Sequence, residues 1–452
     1  MATNTTQPVA CKEFENYLNK LFNISDDDIK MIIKDFHCEM QKGLSGYESS
    51  LKMIPAFVDR PKGNEKGKFI ALDLGGTNFR VLEVELDGKC NSSVLAVSKF
   101  VIQKKDMQGT GDQLFDFIAE SIKSFMLENS ISCDKQIELA FTFSFPVEQT
   151  NIAAGTLIVW TKGFTAKGVV GEDIVIVLNE ALKRKGISNV KVAALANDTV
   201  GTLVAKSYNV PSCDIGVILG TGTNACYPEK MSNITKWRGV SKKDNMIINM
   251  EWGNFDKLPI TTYDKEIDKA SPNTGRQRLE KLVSGMYLGE ILRQIISDLI
   301  QRDLIFKDYG TNIFHKPYGL LTEHMSLIEG DNSDNLGEIE NFLIEHGIAN
   351  INLHSKILLK KLCHLVSVRS ARISAAAISA IITWMDPELK KNHTVGIDGS
   401  LFEKYPGFKG IMEEVFEELF KQKAKKISLE LAKDGSGKGA AIIAAVAASS
   451  EK

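Results

Sequence analysis

Two glycine-bearing segments have the composition of phosphate-binding turns. Residues 72–78 read LDLGGTN and residues 220–223 read GTGT. Glycine lets the backbone approach a phosphate without a Cβ in the way, and the neighbouring N–H, hydroxyl and amide groups can donate to its oxygens. Each segment alone is also compatible with an ordinary β-hairpin turn. Residues 435–439 (GSGKG) lack the spacing of a P-loop and the Ser or Thr after its lysine, so a P-loop kinase is disfavoured.

Four further segments place polar side chains after or among apolar ones. They read FTFSFP at 141–146, WTKGF at 160–164, LANDTVG at 195–201 and NMEWG at 249–253. Each alone could be a capped strand end or, for Asp198, a helix cap. A sugar site needs carboxylates and amides that each engage a pair of hydroxyls and that rigid elements hold in place. The four segments together therefore predict a polyhydroxyl-binding site.

Apolar patterning indicates two successive α/β units that would position these segments. The first has strands at 69–74, 80–86, 94–102 and 137–145 and a helix at 112–129. The second has a strand-turn-strand that starts at 215 and further strands at 247–250, 394–397 and 427–431. Its helices are predicted at 276–302 and 351–384, and a last Ala-rich helix begins at 434–437. Each unit opens with a glycine-bearing hairpin, which indicates an internal duplication.

Three segments outside these units have distinct patterns. Residues 12–43 are predicted to be helical, with Ser25 as an N-cap before an acidic turn. Residues 61–68 (PKGNEKGK) are predicted to be a linker, and residues 103–111 a mobile loop.

Composition limits the class of protein. A chain of 452 residues predicts two or three domains, and 43% hydrophobic residues can form a large core. A formal net charge of −2 gives no basic field for a nucleic acid partner. We expect no signal peptide and no membrane span. The 7 cysteines include no CxxC pair, which argues against a disulfide framework or structural zinc and predicts a cytoplasmic location.

The ordered motifs carry a family resemblance. LDLGGTNFR, FTFSFP, WTKGF, NDTVGT, GTGTNACY, EWGNF, SGMYLGE, VGIDGSL and DGSGKGAA occur in the order found in eukaryotic-type hexokinases, including glucokinase, over roughly 400 residues. The chain resembles the single-unit form of about 50 kDa. The resemblance implies an α/β, two-lobed actin-like ATPase (ribonuclease H-like) fold with a sugar cleft between a small and a large domain. It implies an N-terminal helical part of the large domain at 1–62, a small domain at 63–197, the large domain at 198–433 and a C-terminal helix that returns to the small domain at 434–452.

The resemblance also implies a reaction, the ATP-dependent phosphorylation of the 6-hydroxyl of glucose, and of mannose and fructose, as the first step of glycolysis. Asp198 would be the general base, and Lys162 and Arg80 would assist the transfer. The sugar ligands would be Ser144, Thr161, Lys162, Asn197, Asp198, Asn224, Glu251 and Glu290. The ATP-binding residues would be Asp73, Gly75, Gly76, Thr77, Asn78, Arg80, Gly220, Thr221, Gly222, Thr223, Thr322, Gly399, Ser400 and Leu401. Mg²⁺ would accompany ATP, held by Asp73 and Asp198 mainly through water.

The remaining expectations and alternatives are as follows. Sugar binding would close the two lobes, and the protein would be a monomer or a weak homodimer. Thr322 lies in a loosely matching segment, Asn254 replaces a usually small residue, and Met286 and Tyr287 are expected to pack a helix. A catalytically silent sugar sensor or actin-like ATP-binding protein, and a kinase for another sugar, are the alternative functions. Hexose preference, cooperativity and product inhibition have no signature in the sequence.

Overall fold

The computed structural model describes residues 6–74, 78–132, 134–160, 163–239, 244–306, 313–433 and 435–450. The elements up to the middle of the chain are α1 (Thr6–Phe22), α2 (Asp26–Ser45), β1 (Ile54–Pro55), β2 (Lys66–Leu74), β3 (Asn78–Asp87), β4 (Ser92–Val101), α3 (Lys104–Met107), α4 (Gly111–Glu128), β5 (Ile137–Phe143), β6 (Val147–Asn151), β7 (Ala154–Leu157), α5 (Ile174–Arg184), β8 (Val190–Ala196) and α6 (Asp198–Asn209).

The elements that follow are β9 (Cys213–Leu219), β10 (Thr223–Lys230), β11 (Asn245–Asn249), α7 (Thr262–Ala270), α8 (Arg278–Val283), α9 (Leu288–Gln301), α10 (Thr322–Gly330), α11 (Gly337–Glu345), α12 (Leu353–Met385), β12 (His393–Asp398), α13 (Ser400–Lys404), α14 (Phe408–Phe420), β13 (Ile427–Leu431) and α15 (Gly435–Ser450).

Two mixed sheets with the same topology form the centres of two lobes. The small-lobe sheet has the order β4-β3-β2-β5-β8, and the large-lobe sheet has the order β1-β11-β10-β9-β12-β13. In each sheet, three consecutive strands run antiparallel, and two later strands then add in parallel beside the first of the three. The shared order supports the internal duplication predicted from the two hairpins.

Three apolar clusters hold the lobes together. One lies in the large lobe, one lies between the small sheet and helices α4 and α5, and the third lies around α6 and α15. The third cluster joins residues of both sheets, among them Phe69 of β2 and Ile247 of β11. Helices α6 and α15 therefore pack between the two sheets, and α15 contacts β2, β5 and β8 of the small lobe.

Helix α12 is the long core helix of the large lobe. By length and composition it could cross a membrane, but 83% of its most apolar 18-residue window is buried inside the protein. The sequence predicted this helix, at 351–384, but not that its length and composition would suit a membrane span. Arg369 of α12 is 1% exposed, and its guanidinium donates two hydrogen bonds of 2.8 Å to Asp264. A charge this deep in a helix core requires such a bidentate partner.

Several predicted boundaries differ from the structure. The predicted helix at 12–43 is two helices, because Ser25 caps α2 with a capping box after α1 has ended. The predicted helix at 276–302 is also divided, into α8 and α9. The predicted loop at 103–111 contains α3, and its Met107 and Gly109 carbonyls accept hydrogen bonds from Thr165 and Lys167. The predicted linker at 61–68 ends in the first residues of β2.

Candidate active site

The carboxyl ends of the parallel strands in the small lobe carry predicted site residues. Asp73 of β2, Thr142 of β5 and Ala196 of β8 are register partners across the sheet. Because neighbouring strands lie about 4.8 Å apart, the backbones at Asp73 and Ala196 are roughly 10 Å apart. Asp198 follows Ala196 by two residues, so Asp73 and Asp198 extend from the same edge of the sheet.

Asp198 is the first residue of α6, and Asn197 is the N-cap. The Asn197 side chain accepts a hydrogen bond of 2.9 Å from the Thr199 N–H. Oδ1 of Asp198 accepts from the same N–H at 2.8 Å and from the Thr199 hydroxyl at 3.2 Å. The positive end of the helix dipole favours a carboxylate here. The result is a half-buried, oriented carboxylate at a strand-to-helix junction, which can accept a proton from a bound hydroxyl.

The first phosphate turn joins β2 to β3. Asp73 and Arg80 are register partners on these strands, and their side chains form an ion pair of 2.6 Å. The turn between them, and the side chain of Asn78, lie outside the described residues, as do the predicted ATP ligands Gly75, Gly76 and Thr77.

Trp160, which follows β7, is part of an aromatic cluster. The Trp160 and Phe164 rings stack with centroids 5.4 Å apart, and Phe145 contacts both rings edge-on. The Trp160 indole N–H also donates to the Ala166 carbonyl at 2.9 Å. Thr161 and Lys162, predicted to contact sugar and phosphoryl group, lie outside the described residues.

Two amides and a carboxylate from the large lobe form one hydrogen-bonded group. Asn224 is the second residue of β10, Asn249 ends β11, and Glu251 follows two residues later. Glu251 Oε1 accepts from the Asn249 amide at 3.0 Å and from the Asn224 amide at 3.3 Å, and the two amides are joined at 2.7 Å. Glu251 adopts a left-handed φ of 54°, which turns the chain sharply after β11. Such a group can engage adjacent sugar hydroxyls.

A cleft between the lobes connects the two sets of residues. The same cavity is lined from the small lobe by Phe143, Phe145 and Asn197 and from the large lobe by Ile54, Asn249 and Glu251. Ser144, which lies between the two phenylalanines, is 9% exposed, and its N–H donates to the Leu74 carbonyl. The structure therefore brings the amide and carboxylate group of the large lobe to the same cleft as the N-cap of α6.

The second phosphate turn, residues 220–223, is held from several sides. The Thr223 N–H donates to Glu280 at 3.0 Å, and the Thr223 hydroxyl accepts from the Trp252 indole at 2.9 Å. The Gly220 carbonyl accepts from the Gly285 N–H at 2.8 Å. Glu280 also approaches Gly222, where its carboxylate would lie 2.7 Å from a Cβ. A side chain at Gly222 would therefore displace the Glu280 carboxylate from its present position.

A second cavity continues from this turn along the large lobe. The predicted nucleotide ligands Thr221, Thr322, Ser400 and Leu401 all line it. The Thr322 hydroxyl donates to the Gly285 carbonyl at 2.6 Å and accepts from the Gly289 N–H at 3.2 Å, which ties α10 to the start of α9. Gly399, with a φ of 130°, links β12 to α13 and lies against Gly220. The predicted adenosine-side residues thus converge beside the second turn.

Glu290 occupies a different environment from the other predicted sugar ligands. It is 4% exposed and makes two hydrogen bonds, of 2.7 and 2.6 Å, with the Arg293 guanidinium one helical turn later. The backbone N–H of Tyr318 donates to it at 2.7 Å. In this structure the Glu290 carboxylate is therefore an internal ion pair, and its role as a sugar ligand remains a prediction.

Sequence reasoning missed several residues of the site. Asn249 lies in the NMEWG segment but was not among the predicted sugar ligands. Met286 was expected to pack a helix, but it lines the cavity of the predicted nucleotide ligands at 49% exposure. Ser436 hydrogen-bonds to Asp73 from the other end of the chain. Only the amide type of Asn249, at a strand end, offered a signal in the sequence.

The carboxylates of Asp73 and Asp198 are of a type that can hold a hydrated magnesium ion. Within the described ranges, no group of three or more His, Cys, Asp or Glu side chains could hold a metal ion. Asp73 and Asp198 lie at the ends of strands separated by two strand spacings, and carboxylates are among the oxygen ligands that Mg²⁺ takes, often through its waters. These two residues could hold the ion through water beside a triphosphate.

Comparison with known proteins identifies close relatives of this chain. Family models described as hexokinase match residues 14–208 and 214–446. Hexokinase-7 of Oryza sativa subsp. japonica is 44% identical over 421 residues, which cover 90% of this chain and 91% of that protein. Hexokinase-1 of Schizosaccharomyces pombe is 38% identical over 448 residues, which cover 97% and 92%. The structure of Schistosoma mansoni hexokinase complexed with glucose matches with a TM-score of 0.86 and 35% identity over 96% of this chain and 99% of that chain.

The two-lobed α/β fold and the facing strand ends define a sugar kinase with an actin-like ATPase architecture. The chain belongs to the hexokinase family. The aligned regions cover 91% and 92% of the Oryza sativa and Schizosaccharomyces pombe relatives, and the family resemblance that the ordered motifs carried is confirmed.

Proposed function

We propose that the protein transfers the γ-phosphoryl group of Mg-ATP to the 6-hydroxyl of glucose or a similar hexose, with Asp198 as the general base. The observation that carries the proposal is the cleft itself. Asn197, next to Asp198, and the Asn249–Glu251 pair line one cavity from opposite lobes. A hexose held by these amides and by Glu251 would present a hydroxyl near the Asp198 carboxylate.

The chain's own residues would supply positioning and charge. Phosphoryl transfer needs an aligned acceptor, a base for its proton and donors that stabilise charge on the transferred group. Asp198 would accept the hydroxyl proton, and the turns at 75–78 and 220–223 would hold the triphosphate, with Arg80 and Lys162 near its charge. Mg²⁺, when bound, would neutralise phosphate charge, with Asp73 and Asp198 as the carboxylates that face its water shell.

Closure of the lobes around sugar is part of the proposal. The proposed sugar ligands lie on both sides of the cleft, with Ser144, Thr161 and Lys162 in the small domain and Asn224, Glu251 and Glu290 in the large domain. We place the domain boundaries as expected from the sequence, at 63–197 and 198–433, with 1–62 and 434–452 packed on the large and small domains. Closure would exclude water, which otherwise competes as the phosphoryl acceptor.

A coupled assay for hexose 6-phosphate with Mg-ATP and a panel of glucose, mannose, fructose and amino sugars tests the reaction. We expect turnover with glucose and a lower kcat/KM with at least one other hexose. Sugar binding without any phosphorylated product would favour a catalytically silent sensor. Small-angle scattering tests closure, because the radius of gyration should fall when glucose saturates the protein.

We also propose a cytoplasmic location and a monomer or weak homodimer. The location is supported by the cysteines of the described residues, because Cys38, Cys90, Cys213, Cys226 and Cys363 are free and Cys38 is exposed. Free thiols are stable in a reducing compartment. Cell fractionation and sedimentation equilibrium would test the two statements separately.

A further inference from the structure

The first turn of α15 reaches the phosphate-site residues of the small lobe. The Ser436 hydroxyl donates to Asp73 Oδ2 at 2.9 Å. The same hydroxyl oxygen accepts from the Arg80 guanidinium at 3.3 Å, and Arg80 also donates to Asp73 Oδ2 at 2.6 Å. Ser436, Asp73 and Arg80 thus form a closed ring of hydrogen bonds. The Asp73 carboxylate and the Arg80 guanidinium are both predicted to bind ATP.

Close backbone packing fixes the position of Ser436. A Cβ on Gly439 would lie 1.9 Å from the Gly201 carbonyl oxygen, and a Cβ on Gly201 would lie 3.1 Å from Ser436 Cα. Helices α6 and α15 can therefore cross in direct backbone contact only because both positions are glycine. The Thr142 hydroxyl, from β5, donates to the Ser436 carbonyl at 3.4 Å. The serine is held from α6 and from the small-lobe sheet at once.

The chemistry of the ring indicates what Ser436 does for its partners. Asp73 Oδ2 receives two donors, which fixes the carboxylate plane and engages one of its oxygens. The Arg80 side chain is held at the strand by the same contacts. A carboxylate whose plane is free to rotate would lose this orientation toward a hydrated ion, because water-mediated contacts require a defined direction.

We propose that Ser436 is a positioning residue for Mg-nucleotide binding, which orients Asp73 and Arg80 through its hydroxyl. The proposal rests on the proposed function for the role of Asp73 toward Mg²⁺. The proposal also gives the GSGKG segment, which lacks P-loop spacing, a role. Its glycines allow α15 to cross α6, and its serine contacts Asp73.

The test compares Ser436→Ala with Ser436→Thr, which keeps a hydroxyl. Isothermal titration with ADP is performed with and without Mg²⁺, so the readout does not depend on turnover. We expect Ser436→Ala to weaken MgADP binding about tenfold, the size of a lost hydrogen bond to a charged group, and to leave Mg²⁺-free ADP and glucose binding within about twofold. Ser436→Thr should recover most of the MgADP affinity.

A matched control separates positioning from general packing. Ser207→Ala removes a buried hydroxyl that bonds only the Val204 carbonyl within α6, so it should leave the Mg²⁺ dependence of ADP binding unchanged. Ser436→Ala with wild-type MgADP affinity, or with equal losses for ADP with and without Mg²⁺, would overturn the proposal. Absence of hexose phosphorylation by the wild-type protein would instead count against the proposed function, and the ADP titrations would still report on Ser436.

Discussion

Oδ1 of Asp198 accepts both the N–H and the hydroxyl of Thr199, at 2.8 and 3.2 Å. Two donors from the next residue fix the carboxylate against the first turn of α6. Thr199 is itself fully buried, so the pair is part of the packed junction between β8 and α6. Local structure therefore orients the carboxylate that we propose as the general base.

Replacing Asp198 by Ala should abolish most turnover while the protein still binds sugar. Loss of a general base lowers kcat by roughly 10²–10⁴. Glucose affinity should change by only a few-fold, because Asn197, Asn249 and Glu251 still line the cleft. Steady-state kinetics and equilibrium glucose titration measure the two quantities. Asp198→Asn is the matched control, since its amide oxygen can still accept from Thr199 but cannot take a proton. Near-normal kcat in either variant would remove Asp198 from the base role.

Replacing Glu251 by Ala should mainly weaken glucose binding, whereas replacing Asp198 should mainly lower kcat. Oε1 of Glu251 accepts from both Asn224 and Asn249, so Glu251→Ala leaves the Asn249 amide without this acceptor, while the Asn224 amide keeps its bond to Asn249. Unsatisfied polar groups of this kind cost about 1–3 kcal/mol, so the glucose Kd should rise roughly 10- to 100-fold. Titration of glucose in the absence of ATP measures this change. Glu251→Gln keeps an acceptor and should lose less affinity, and identical affinities for wild type and Glu251→Ala would exclude Glu251 from the sugar site.

The fold and the order of site segments were accessible from the sequence because both depend on local patterns. Polar residues at strand ends singled out the segments that contain Asp198 and Glu251, whereas Asn224 was implied only by the family resemblance. The Ser25 N-cap was visible as a serine before three aspartates. The division of the predicted 276–302 helix was not accessible. There the backbone at Gly285 bonds Gly220, about sixty positions away, and this long-range contact overrides the local helical pattern.

Ser436 and Arg293 show the same limit at the level of side chains. Ser436 and Asp73 are 363 positions apart in the sequence, and no local pattern in either segment predicts their hydrogen bond. Arg293 lies three residues after Glu290, a spacing that places both on one helix face and is compatible with an ion pair. The family resemblance implied a sugar ligand at Glu290, and the ion pair was not predicted.

The Glu290–Arg293 pair allows a test of whether Glu290 serves structure or sugar. Both side chains are largely buried, and the Arg293 guanidinium also donates to the Phe314 carbonyl at 2.7 Å. Glu290→Ala should lower stability by about 3–5 kcal/mol, because it leaves a buried guanidinium without its partner. Chemical denaturation followed by tryptophan fluorescence measures the loss. The double variant Glu290→Ala with Arg293→Met should recover part of it, and a glucose Kd that stays weak in the stabilised double variant would assign Glu290 to the sugar site as well.

The environment of His393 predicts a pH-dependent contribution to stability. His393 is 1% exposed, with Asp214 at 2.8 Å on one ring nitrogen and Asp386 at 3.4 Å on the other. Burial lowers the pKa of His393, but hydrogen bonding and the charges of Asp214 and then Asp386 outweigh it, so the pKa lies above its ordinary value of 6.5. A raised folded-state pKa stabilises the protein below the unfolded pKa, and the contribution disappears as pH rises through the folded pKa.

Asp214→Asn should therefore destabilise the protein more in mild acid than in mild base. Near pH 6, we expect a loss of about 1–3 kcal/mol, the value of a hydrogen bond to a charged partner, and near pH 9 a clearly smaller loss because His393 is then neutral. Melting temperatures of wild type and variant across this range give the comparison. Asp27→Asn removes a carboxylate that is 90% exposed and should change little at either pH. If the Asp214→Asn difference is the same at both ends of the range, His393 is not charged in the folded protein, and the two aspartates bind it as a neutral ring.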